Sequence, residues 1–137
     1  PGSGEYMDSS SIELSGSEID NISLSGTRLE IHFSRAIIIK TMTGSVEKTK
    51  WSQTGSLIID GVRIHGDLPR GPVVCDGGDL DENIYTYRDM IPVPLESRGM
   101  IRCDLRFRGS DARLTAEGET LKLALQDVPK YIEHIRP

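Results

Sequence analysis

The densest group of potential ligands in the sequence is Asp76-Gly77-Gly78-Asp79-Leu80-Asp81-Glu82-Asn83, four carboxylates and one amide on a glycine-rich stretch. Oxygen donors of this kind are what calcium takes, which makes Asp76, Asp79 and Asp81 the candidate metal ligands. Spacing argues the other way. An EF-hand loop alternates its acids, places a glycine sixth and ends on a glutamate, whereas here only Asp79 and Asp81 alternate. The competing reading is a solvated turn whose aspartates cap backbone groups.

Acid–base work needs a base beside an orienting acid, and His65 with Asp67 is the pair to test first. A histidine so placed is more often a surface or capping group. Zinc needs converging nitrogen and sulfur ligands, but no close pair exists among Cys75, Cys103, His32, His65 and His134. Cys103 falls on an apolar strand face and reads as a core thiol, leaving Cys75, in a loop, as the more reactive of the two. Neither Ser17 nor Ser45 has the flanking glycines of a nucleophile elbow, and Gly77-Gly78 is followed by acids rather than a phosphate-binding lysine. No catalytic residue and no cofactor are therefore assigned.

A different constellation follows the acidic stretch. Tyr85, Tyr87, Arg88, Asp89 and Met90 include the residue types enriched at protein interfaces, and two tyrosines at i and i+2 point the same way from a strand. The alternative is that both rings cover the open end of a core and spend their hydroxyls on internal bonds. Arg102, Arg106 and Arg108, with Asp104 between them, read as a solvated strand face with Arg113, Glu117 and Lys122 as potential cross-strand partners.

These residues must be positioned by strands. Leu29, Ile31 and Phe33 alternate with polar residues, and at Ala36-Ile37-Ile38-Ile39 the alternation gives way to a continuous apolar run. That change requires two covered faces or a bulge near Arg35 that switches the inward side. Ile12 with Leu14, and Ile22 with Leu24, predict short edge strands between Ser- and Gly-rich stretches. Asp60-Gly61 between two β-branched runs predicts a tight hairpin, with one long strand broken by a glycine bulge as the alternative. Residues 66–83 read as a long loop, and Ile91-Pro92-Val93-Pro94-Leu95 as an edge or connector. Three strands, around Ile101 to Phe107, Ala112 to Ala116 and Leu121 to Leu125, predict an antiparallel meander divided at Gly109-Ser110 and Gly118-Glu119. Asp127 as a cap, with Val128, Ile132 and Ile135 at helical spacing, predicts a short C-terminal helix.

Composition bounds the class. With 137 residues, 36% hydrophobic, the chain can bury one core, and residues 7–137 are expected to form a single all-β domain. Residues 1–6 read as a cloning remnant ahead of a native start at Met7. The fold expected is an antiparallel β-sandwich or partly open β-barrel with the short C-terminal helix. Net charge is −5, with the acids concentrated in residues 1–26 and 76–96. That balance disfavours nucleic acid as a partner, and no apolar run is long enough to span a membrane. Two cysteines read as reduced thiols, so a cytoplasmic location is expected.

The reading that follows is a non-catalytic protein-interaction module, acting on a protein partner or on a copy of itself, with Tyr85, Tyr87, Arg88, Asp89, His65 and Asp67 as contact residues. The alternative is a small-molecule or metal-binding β-barrel, a hydrolytic enzyme being one form of it, with its site in the 65–90 loop region.

Overall fold

The computed structural model describes residues 9–41 and 47–136; residues 1–6, read as a remnant, and the turn expected around Gly44 lie outside them. Among the described residues nine strands form one antiparallel sheet: β1 (Ser9–Ser25), β2 (Arg28–Thr41), β3 (Lys48–Asp60), β4 (Arg63–His65), β5 (Val73–Glu82), β6 (Tyr85–Arg88), β7 (Met90–Val93), β8 (Glu96–Phe107) and β9 (Arg113–Ile135). Pairing runs β5-β8-β9-β3-β2-β1, and β1 then returns to β5 through Glu18↔Val74 and Ile19↔Val73, so six strands close a ring. Their inward residues, Phe33, Ile31, Leu57, Ile59, Leu105 and Leu114 among them, form one buried cluster.

The ring has a fork. β1 and β5 pair only at those two positions; further along, β6 pairs with β5, and β7 pairs with β1. Asp89 joins the two short strands. Its N–H donates to Gly78 O at 2.7 Å, and its carbonyl accepts from Leu14 N at 2.9 Å, so one residue ties both arms. Its carboxylate adds an acceptor for Gly78 N at 3.0 Å.

Of the two readings of the Ala36–Ile39 run, two covered faces or a bulge near Arg35, the bulge is present, and Ile37 is buried as well. Phe33 pairs with Gly55 and Ala36 with Gln53, so Ser34 and Arg35 together face one residue of β3. Inward positions accordingly pass from Leu29, Ile31 and Phe33 to Ala36 and Ile38.

Four expectations are corrected. The two short edge strands at the N-terminus are a single strand, β1, bonded on both sides. Its Ser and Gly content hides it, because residues 14–17 are bulged and the buried Ser17 hydroxyl replaces missing ladder bonds. That hydroxyl donates to Glu13 O at 2.6 Å and accepts from Ile37 N at 3.0 Å. Asp60-Gly61 is not a hairpin. Asp60↔Thr120 and Arg63↔Glu117 keep one register along β9, so β3 and β4 are one line with a two-residue break, the alternative reading of that segment.

Gly118-Glu119 is not a turn either; β9 runs through it. A Cβ at Gly118 would collide with the Ile59 side chain, so this glycine serves close strand approach. Finally, there is no C-terminal helix: Asp127 to Ile135 belongs to β9. Register shifts between Ser52 and Thr54, and between Lys50 and Trp51, put extra residues into this part of β9. Each extra residue breaks the period of two, and the resulting spacing of Val128, Ile132 and Ile135 imitates a helix. Pro129 sits in the first irregularity, where its missing N–H is tolerated. No helix among the described residues is long and apolar enough to cross a membrane.

Candidate functional site

The acidic segment is a strand rather than a loop. Across β5, Leu80 points into the core opposite Cys103, while Asp79 and Asp81 point outward opposite Asp104 and Arg102. Asp76 is exposed on the far side of a bulge at Gly77, so β5 does not bring it together with the other two. Among the described residues, no three His, Cys, Asp or Glu side chains are grouped to hold a metal ion. Gly77 and Gly78 are buried against β8, which is why a stretch that reads as turn-like by composition is extended.

The outer face of this sheet is a charge lattice. One row runs Arg63, Glu117, Arg102, Asp81 across β4, β9, β8 and β5. Arg63 Nη2 lies 2.9 Å and Arg102 Nη1 3.2 Å from Glu117, and Arg113 contacts Asp104 at 2.8 Å. Signs alternate along that row, while Asp79 faces Asp104 and Arg106 faces Arg113, and such exposed pairs contribute little individually. This is the solvated strand face expected of Arg102 and Arg106.

His65 belongs to the same lattice. Its ionic partner is Glu117, with Nε2 3.4 Å from the carboxylate, while Asp67 stands exposed in the loop beyond. Hydrogen bonding from His65, reinforced by the charges of His65, Arg63 and Arg102, holds the Glu117 carboxyl below its ordinary range. A depressed carboxyl favours the folded chain above its unfolded value, and that contribution is lost as pH falls through the folded value. NMR titration should therefore place Glu117 below an ordinary glutamate, and His65→Gln should raise it; an unmoved midpoint would remove His65 from this role. Glu117 was not legible beforehand as the focus of the cluster, because only the register of β4 on β9 on β8 brings its three cations together.

Tyr85 and Tyr87 do share a face, stacked with ring centroids 6.5 Å apart and planes at 16°. Tyr87 packs against the core and donates to Glu82 Oε1 at 2.8 Å, and this bond to a carboxylate raises the phenol above its usual range. Tyr85 is 59% exposed. Arg88 is exposed opposite Asp79, and Asp89 lies at the fork, where Arg106 Nη2 approaches it at 3.4 Å. Asp89 thus carries a structural load that its composition-based grouping with the interface residues does not convey.

In the turn between β5 and β6, Asn83 has a role that its grouping with the acidic residues does not convey. Asn83 adopts φ 55° and clamps β8: its N–H donates to Met100 O at 2.8 Å, its Oδ1 accepts from Met100 N at 2.9 Å, and its Nδ2 donates to Arg98 O at 3.0 Å. Ile84, next in that turn, and Met100, on β8, are 89% and 80% exposed at this tip. The asparagine was the available signal, since it tolerates left-handed backbone and bonds locally, but its target on β8 depends on strand order.

Both cysteines are free and buried. Desolvation raises the thiols of Cys75 and Cys103, the latter to about 12, so Cys75 is a core thiol and not the accessible one its assignment to a loop implied. Two surface grooves, of about 440 and 370 Å³, are lined by other residues: Asp60, Glu96, Arg98 and Lys122 in the first, Ile19, Pro72, Val73 and Arg108 in the second.

Compared with protein-family models, with curated proteins and with solved structures, the chain matches none.

Proposed function

We propose that the chain is a non-catalytic binding module built on a small, partly open β-barrel, and that it contacts a protein partner through the β5–β6 tip. The observation that carries this reading is the Asn83 clamp. Three hydrogen bonds hold Ile84 and Met100 outward on a fixed backbone, with Tyr85 beside them, so the apolar surface is presented with little ordering left to do on binding. Large apolar groups this exposed, on a rigid turn and next to a tyrosine, are what partner-contact anchors look like. A ligand or metal site in the 65–90 region has weaker support, because His65 is engaged by Glu117 and the acidic side chains are spread along a strand.

The test replaces Ile84 and Met100 together by serine. Quantitative co-purification from the source cells should lose one specific protein by at least about tenfold, as expected when interface anchors are truncated. A control substitution at exposed Val128, far along β9, should retain it. An identical set of co-purifying proteins from all three forms would overturn the proposal, provided circular dichroism shows the serine variant folded.

A further inference from the structure

Past the ring, β7, β1, β2, β3 and β9 continue as an open sheet, crossed by one row of cross-strand partners: Ile91, Ile12, Ile38, Trp51 and Tyr131. Burial falls along the row. The three isoleucines are buried, Trp51 is half-buried with Lys40 Nζ 4.6 Å from its ring centre, and Tyr131, edge-on to Trp51 at 5.2 Å, is 56% exposed. The reason is the reach of β8. It accompanies β9 only as far as Lys122, followed by a last bond from Leu123 N to Leu95 O. From Ala124 to Ile135, β9 pairs with β3 on one edge, and no strand among the described residues covers the other.

The irregularity at Asp127 to Pro129 blocks regular pairing on the first part of that edge. Lys130 to Ile135 remains. Trp51 pairs with Tyr131 and Lys50 with Glu133, so Ile132 is an extra residue. Its insertion places Lys130 and Glu133 on one face, that of Ser52 and Lys50, and Tyr131 on the other.

We propose that this edge pairs antiparallel with the same edge of a second copy, about a two-fold axis between Tyr131 and Ile132. In that register Lys130 stands opposite the second copy's Glu133, Glu133 opposite its Lys130, and Asp127 level with its Arg136. Every charged position meets its opposite sign. An axis at Lys130 or at Glu133 would instead set like charges against each other, which is unfavourable across strands. The two Tyr131 rings flank the axis on the Trp51 face and continue the apolar row from one copy into the next. The paired segment is short, so the dimer is weak and concentration-dependent. It uses a surface separate from the β5–β6 tip, so this inference and the proposed function succeed or fail independently.

Analytical ultracentrifugation of the full chain should show a reversible monomer–dimer equilibrium. Lys130→Glu and Glu133→Lys each turn both opposite-charge pairs into like-charge pairs, and each alone should weaken self-association by about tenfold or more. Mixing the two variants restores opposite charges at both pairs, and a heterodimer should form. Because each residue is on the surface, unchanged circular dichroism separates loss of pairing from loss of fold. A wild-type chain that stays monomeric at all accessible concentrations would overturn the inference. So would single variants that dimerise like the wild type, or a mixture that remains monomeric.

Discussion

Gly78→Ala is expected to lower the unfolding free energy by about 3–5 kcal/mol, or to prevent folding, because two costs add at this position. Gly78 has φ 154°, a backbone conformation an alanine adopts only with strain. A Cβ there would also collide with Asp104 O and lie 2.9 Å from Leu105 Cα, both backbone atoms of β8 that cannot move without breaking the β5–β8 ladder. Total stabilities of small domains are about 5–15 kcal/mol, so the loss is a large fraction of the whole. Urea denaturation measures it. Gly26→Ala supplies the reference, since Gly26 also has positive φ but nothing within 4 Å of a Cβ. Its cost should be about 1 kcal/mol. If both substitutions cost the same, β5 does not press against β8, and the acidic segment is the loop its composition describes.

Ser17→Ala is expected to cost about 1–3 kcal/mol, the penalty for stranding a buried donor and acceptor. The serine is fully buried, and its hydroxyl satisfies Ile37 N and Glu13 O within the β1 bulge. Alanine removes the partner that both groups have in this bulge. The loss should also have a local signature: hydrogen exchange at the Ile37 amide should accelerate more than at its β2 neighbours. Unchanged protection at Ile37, whatever the global stability, would show that the hydroxyl is not the partner that matters.

The two substitutions mark where composition misleads. Glycine, serine and aspartate favour turns because they tolerate unusual backbone and bond locally, and pattern reading assigns them there. In this chain the same properties build strands. Gly78 lets β5 approach β8, Gly118 lets β9 approach Ile59, and Ser17 bridges a bulge. Tyr85 and Tyr87 were readable as a same-face pair because adjacent strand residues alternate, a rule that needs no tertiary information. His65 with Asp67 was not, because closeness along the chain does not fix contact across it; Glu117, more than fifty positions away, is the true neighbour.

What the sequence by itself determined is the all-β class, the inward residues of β2 and β8, and the break in alternation after Arg35. Each follows from side-chain alternation along a single strand, a local property. What only the tertiary structure decided is which strands meet. Closure of β1 onto β5, the fork sealed by Asp89, the continuity of β9 through Gly118 and Pro129, and the exposure of Ile84, Met100 and Tyr131 all depend on register between segments distant in the chain. Register is set by the combined packing of many partners, and a bulge of one residue in any of them reverses every face beyond it.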